Sequence, residues 1–234
     1  MPELVWPDLL TDGITEKLIG STLMPQKLRT AKPNPSNQIV TLYEDRTVYN
    51  GFFSVKEYDL SFTKFDGSKS NLVTRSALIA VDAVIVLPYD PINDRILLVE
   101  QFRTGPYARQ DESPWCLEPI AGLIDSGETP EEAGRREALE EANLKISRLE
   151  LVARSYPSPG ISTEFFHQYI GITSLPKSID LVSGLKSETE DIRSHIFCFS
   201  DFLQMIESGK ICVGPAVLLG LWLALHRDKL DVNN

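Results

Sequence analysis

The chain has 234 residues, enough for one ordinary domain with an appendage or for two small ones, and enough to bury a core without covalent staples. Hydrophobic residues make up 42% and charged residues 24%, the balance of a soluble globular protein, and a formal net charge of -10 argues against duplex nucleic acid as a partner. Cys116, Cys198 and Cys212 are far apart and show no paired spacing, so neither a zinc site nor a disulfide framework is expected, and a reducing compartment fits.

Residues 1 to about 40 have a loop-like texture. Pro25, Pro33 and Pro35 break the segment, with Asn34, Ser36 and Asn37 between them. Met1 to Leu10 lacks a basic start followed by an apolar run, so no secretory signal is read there and the cytoplasm is expected. From Ile39 to Ile79 the texture is β. Tyr58, Leu60 and Phe62 alternate with polar residues, and Asp66-Gly67 supplies a tight turn into a returning strand from about Lys69. A β-hairpin subdomain is expected here, giving an N-terminal part over 1–79 and a second domain over 80–234.

Ala83 to Leu87 reads as a strand buried on both faces. Pro88, Asp90, Pro91 and Asn93 suggest a turn, Ile96 to Val99 a second buried strand, and Tyr107 to Pro114 a polar loop. Further strands are expected at Leu149–Ser155, Phe165–Ile172 and Ile192–Phe199, and closing helices near Phe202–Ser208 and Pro215–His226. The apolar stretch from Ile211 to Leu225 is interrupted by Gly214, Pro215 and Gly220. It falls short of the roughly 20 residues that a membrane span needs, so a buried or interface helix is expected.

The most informative helix begins at Thr129. Thr129 can cap, Pro130 suits the first turn, and Glu132 can complete a capping box. The helix should run to Ala142, with Asn143 in the left-handed region. Glu137, Glu140 and Glu141 lie three and four residues apart and share a face, where like charges repel. Glu140 and Glu141 also sit at the negative end of the helix dipole. Three carboxylates in that place call for a compensating cation, and oxygen-only ligands select a hard one such as Mg²⁺. The bland alternative is a solvated acidic face.

The wider spacing decides between them. Gly122, Glu128, Arg136, Glu137, Glu140, Glu141 and Leu144 follow G-x5-E-x7-R-E-U-x-E-E-x-G-U, and in this the chain resembles the Nudix hydrolases. Five matches are charged residues, and at about 6% per charged residue type chance agreement is about one in a million per start position. Ala138 and Asn143 depart from the pattern, and neither is a proposed ligand.

The resemblance extends from about Tyr49 to His226 and is to the bacterial ADP-ribose pyrophosphatases as a group. It is carried by Gly51-Phe52-Phe53-Ser54, by Glu100-Gln101-Phe102-Arg103, and by Trp115 through Glu118 leading into Ala121-Gly122. Ser158-Pro159-Gly160 and the run from Glu188 to Arg193 complete it. The resemblance implies an α/β/α sandwich around a mixed sheet, with the N-terminal β region building a homodimer. It implies Mg²⁺, with Mn²⁺ as a substitute, held by the Ala121 carbonyl, Glu137, Glu141 and Glu190, with Glu140 in the same cluster. Glu188 would be the general base, and Arg136 would belong to the catalytic set. Gly122 and Arg103 would face the substrate, Arg103 at its phosphates. Phe52 would stack on adenine with Arg75 nearby, and Glu164 would lie near the terminal ribose. The implied reaction is hydrolysis of ADP-ribose to AMP and ribose 5-phosphate.

Ser76, Ala80 and Val81 stand where that group usually has Glu, Arg and Gly, which puts the adenine and ribose contacts in question. Two alternatives therefore stay open: hydrolysis of another nucleoside diphosphate sugar such as GDP-mannose, and a domain that senses ADP-ribose without cleaving it. The intact carboxylate set argues against the sensor, as does the lack of an attached DNA-binding segment in this sequence.

Overall fold

All eight residues of β4 (Ala83–Asp90) are buried, as a strand flanked by helices on both faces requires. Val84 and Val86 point to one core cluster, with Leu97, Val99, Ile120 and Tyr169. Ile85, Leu87 and Tyr89 point to a second, with Ile96, Leu98, Phe199, Phe202, Leu219 and Leu223. The computed structural model describes residues 39–179, 181–184 and 191–230.

The first cluster is roofed by α2 (Pro130–Ala142), which contributes Ala133, Ala138 and Ala142. Gly134 lets this helix approach closely, because a Cβ there would stand 3.0 Å from Val86. The second cluster is covered by α3 (Phe199–Glu207) and α4 (Gly214–His226). The result is an α/β/α sandwich around a mixed sheet, as expected. None of the described helices is long and apolar enough to cross a membrane.

The remaining strands of the main sheet are β5 (Arg95–Phe102), β6 (Trp115–Glu118), β7 (Ile120–Leu123), β8 (Arg148–Ser155), β9 (Phe166–Ile172), β10 (Val182–Ser183) and β11 (Ile192–Cys198). They run in the order β10-β11-β5-β4-β9-β8, with β4 and β9 parallel. β4 and β5 pair only at Tyr89 and Asp90, and then diverge. β7 pairs with the start of β4 and β6 with the end of β5. This split lets β7 set Ala121 beside Ile85 and Gly122 beside Val84.

Pro88 lies inside β4 and not in a turn. It pairs with Gly171 on the β9 side, while on the other side β4 leaves β7 after Val86 and meets β5 only at Tyr89. A missing N–H is tolerated in that gap. The turn itself is Pro91–Asp94, where the buried Asp90 carboxylate accepts from the Ile92 and Asn93 amides. The expected loop from Tyr107 to Pro114 begins inside a short helix, α1 (Thr104–Arg109), which ends at Gln110 in the left-handed region.

N-terminal to this core, β1 (Val40–Asn50), β2 (Ser54–Phe62) and β3 (Val73–Ile79) form an antiparallel three-stranded sheet. The expected hairpin is therefore one strand larger. The turn with Gly67 at φ +83° leads through 68–72 into β3. The end of β3 is tied to the segment before β9. The Leu78 amide donates to Ile161 (2.7 Å), and the Thr163 amide donates to Leu78 (3.0 Å).

Candidate active site

α2 forms as its sequence dictates. Thr129 and Glu132 make the reciprocal capping box, Pro130 occupies the first turn, and Asn143 takes φ 50°. The helix therefore has a fixed start, and its last turn is held against β7. Glu141 is only 3% exposed, and the Ala121 amide donates to its Oε2 at 3.4 Å. Glu137 lies against Gly122 so closely that a Cβ there would stand 1.8 Å from its Oε1. Two carboxylates from one helix thus reach the same two-residue stretch of strand. Any side chain at 122 would displace the Glu137 carboxylate from this position.

Arg136 gathers the rest. Its guanidinium donates to both oxygens of Glu128 (3.0 and 2.9 Å), to the Leu123 carbonyl (3.1 Å), to Glu137 (2.6 Å) and to Glu140 (3.2 Å). The bond to Glu128 is the largest of the effects that raise its pKa above the ordinary guanidinium value. The same bond holds the Glu128 carboxyl below the usual range. All five N–H groups of Arg136 are spent on the protein, and through them it gathers the carboxylates.

Arg103 lies at the end of β5 and forms a bidentate pair with Glu118, at 2.7 and 3.1 Å. Burial works against its charge, and the Glu118 bond together with the nearby Glu141 carboxylate outweighs it and raises the pKa. Glu164 belongs to the same neighbourhood. Burial pushes its carboxyl up, while the Arg103 charge pulls it down.

Glu118 has no role that its sequence neighbourhood reveals. It becomes visible only through the β5–β6 register, in which Val99 faces Glu118 and Phe102 faces Trp115. The departure at Ala80 also acquires a setting: its amide donates to Thr163 Oγ1 (2.9 Å), and that hydroxyl donates to the Ala80 carbonyl (3.0 Å).

Other expected site residues lie in the N-terminal sheet region or outside the described residues. Phe52 is fully exposed on the turn between β1 and β2. Arg75 is exposed on β3, donating to the Thr74 carbonyl at 2.9 Å. Glu188 and Glu190 lie outside the described residues.

Among the described residues, no three His, Cys, Asp or Glu side chains form a complete metal-holding group. Glu137 and Glu140 are drawn toward Arg136, and the expected set also needs Glu190 and a backbone carbonyl. The donors that do converge on Ala121 and Gly122 are all oxygens, which fits a hard divalent cation.

A mixed α/β/α sandwich with an arginine-gathered row of glutamates facing a Gly-bearing strand defines a class, and the chain belongs to it: the Nudix domain family matches residues 80–212. The chain is thus a Nudix hydrolase. It is 36% identical to the ADP-ribose pyrophosphatase of Escherichia coli (strain K12), over 82% of this chain and 90% of that protein. It is likewise 36% identical to the ADP-ribose pyrophosphatase of Haemophilus influenzae, over 84% of this chain and 91% of that one. A GDP-mannose pyrophosphatase of Escherichia coli O1:K1 / APEC is 30% identical over 78% of this chain and 93% of that protein. The crystal structure of an ADP compounds hydrolase shares the fold, with a TM-score of 0.58 at 19% identity, covering 80% of this chain and 95% of that one.

Proposed function

We propose that the chain hydrolyses ADP-ribose to AMP and ribose 5-phosphate in a Mg²⁺-dependent reaction, Mn²⁺ being a substitute. The observation that carries this reading is the convergence of Glu137 and Glu141 on Ala121 and Gly122, with Arg103 beside Glu141. The relatives named as ADP-ribose pyrophosphatases supply the substrate.

In this reading the Ala121 carbonyl, Glu137, Glu141 and Glu190 hold the metal, with Glu140 adding charge to the cluster. When bound, the divalent ion neutralises charge that develops on the diphosphate. Water adds to one phosphorus, the bridging P–O bond breaks, and Glu188 takes the proton from the water. Arg103, held by Glu118, presents its guanidinium to the phosphates. Arg136 keeps the carboxylates gathered, and Gly122 leaves room for them. Glu164 lies toward the terminal ribose.

Phe52 and Arg75 act on the adenine of a neighbouring protomer in a homodimer. Supporting this, the N-terminal sheet exposes Val40, Leu42 and Phe62 as well as Phe52. That sheet, within residues 1–79, is the dimerisation part, and 80–234 is the hydrolase domain, whose start coincides with that of the family match. The cytoplasm is the proposed location.

A second substrate reading has a specific observation behind it. Ala80 and Ser76 provide no charge where the substrate's outer groups would be read, and GDP-mannose pyrophosphatases are among the relatives. The experiment is product analysis with Mg²⁺ and both compounds, for the wild type and Glu141→Gln. Faster kcat/KM for ADP-ribose, abolished in the variant, is expected. Faster turnover of GDP-mannose would shift the substrate, and turnover unaffected in the variant would remove the metal reading.

A further inference from the structure

The last turn of α2 has a problem that its own cap does not solve. An α-helix leaves its final carbonyls without helical partners. Here the Asn143 amide returns to Leu139 (3.0 Å) and the Leu144 amide to Ala138 (2.9 Å), and both bonds serve carbonyls before Glu140. The Glu141 carbonyl is satisfied from elsewhere: the Ser183 hydroxyl, on β10, donates to it. Ser183 pairs with Ile192 on β11, and Ile192 is fully buried in the same cluster as Ala138 and Ala142. The neighbouring Ser194 amide donates to Leu181 at 3.1 Å, holding the approach to β10 in place. The hydroxyl is therefore referenced to the sheet and not to a free loop.

Glu141 is thus held at two points, its main chain by β10 and its carboxylate by the Ala121 amide on β7. Loss of the first removes the tie between the last turn of α2 and β10. Ser183 also precedes Gly184, which adopts φ +108°, and the chain then enters the segment that carries Glu188 and Glu190.

We infer that Ser183 is a positioning residue for the metal site: its hydroxyl fixes the backbone at Glu141 and so sets where the Glu141 carboxylate meets the Ala121–Gly122 strand. The inference rests on the reading of Glu141 as a metal ligand. Its signature is a loss of metal affinity and of kcat with little change in KM for the nucleotide, since the Ser183 hydroxyl is bonded to the Glu141 carbonyl.

The test is Mg²⁺ titration by calorimetry on the full chain, with thermal unfolding and ADP-ribose turnover measured in parallel, for wild type, Ser183→Ala, Ser183→Thr and Glu141→Gln. Ser183→Ala should weaken Mg²⁺ binding about fivefold, the effect of one ordinary hydrogen bond. Ser183→Thr, which keeps the hydroxyl, should restore most of it. Wild-type Mg²⁺ affinity in Ser183→Ala would overturn the inference. So would a Ser183→Thr variant no better than the alanine. Should Glu141→Gln bind Mg²⁺ like the wild type, the metal reading itself fails. Should Glu141→Gln lose binding while Ser183→Ala keeps it, only the positioning role fails.

Discussion

Arg46 and Arg136 are bonded in nearly the same way and serve opposite ends. Arg46, on the N-terminal sheet, bonds to Glu57 (2.7 Å) and Asp59 (2.9 Å), joining β1 to β2. Arg136, on α2, bonds to Glu128, Glu137 and Glu140. Their side chains differ little in exposure, 38% against 30%. What differs is the company. The partners of Arg46 are spread over two strands, Glu44 on its own and Glu57 and Asp59 on β2. Those of Arg136 include two glutamates crowded on one helix face, next to the buried Glu141, and Glu140 lies in the turn where the dipole disfavours it. The first arrangement decorates a sheet. The second concentrates negative charge against the strain of its own repulsion, which is the arrangement a divalent ion exploits.

Substitutions can break this contrast. The largest effect is expected from Gly122→Ala on the helix side. A methyl group there collides with Glu137, and displacement of about 1 Å at a reacting centre costs about a hundredfold in rate. Turnover of ADP-ribose should fall by that order while circular dichroism stays native. Unchanged kcat would show that Glu137 is not where the chemistry needs it.

Arg136→Met should come next. It leaves Glu128, Glu137 and Glu140 without their shared cation, and a loss of about 2–3 kcal/mol is expected in urea unfolding, at the low end because the site is partly exposed. Arg46→Met should leave the unfolding midpoint close to wild type. Equal losses in the two variants would erase the distinction between the regions.

The two regions were also unequally legible in the sequence. α2 could be read from its caps to its left-handed Asn143, because every signal is local to about fifteen residues. The same holds for β4, where an unbroken apolar run has one physical explanation. The split between β4 and β5 was not legible. Trp115–Glu118 and Ile120–Leu123 are four-residue strands whose identity depends on partners far away in the chain, and so the role of Glu118 stayed hidden. Pro88 misled for a related reason: a turn signal is read locally, and the vacancy beside it that tolerates proline is a tertiary fact. Tyr107–Arg109 read with the polar loop up to Pro114, although they close a short helix that starts at Thr104.

A smaller effect addresses the N-terminal sheet from its apolar side. Leu42 is exposed on β1, opposite Leu60 and near Val40 and Phe62. If this face joins two protomers, Leu42→Asp should halve the mass seen by light scattering and raise KM for ADP-ribose, since Phe52 and Arg75 would be lost to the neighbouring site. A wild type that is already monomeric would return Phe52 and Arg75 to the surface and leave only the helix region as a functional element.

The smallest effect concerns Glu164, which stands between the regions. Thr163, beside it, ties the end of the N-terminal sheet to the core, and the Glu164 carboxyl feels Arg103. Its folded pKa is raised above the ordinary 4.5 by burial, only partly offset by Arg103. A raised carboxylate favours the folded state below 4.5, and that contribution is lost as pH rises through the folded pKa. At neutral pH the wild type therefore carries the cost of a half-buried charge. Glu164→Gln should unfold at a slightly higher temperature than wild type at pH 7.5, and the gap should close below pH 4.5. A gap that persists unchanged into acid would assign the effect to packing. A variant less stable at pH 7.5 would mean that the attraction to Arg103 outweighs burial, and would place Glu164 with the committed charges of α2.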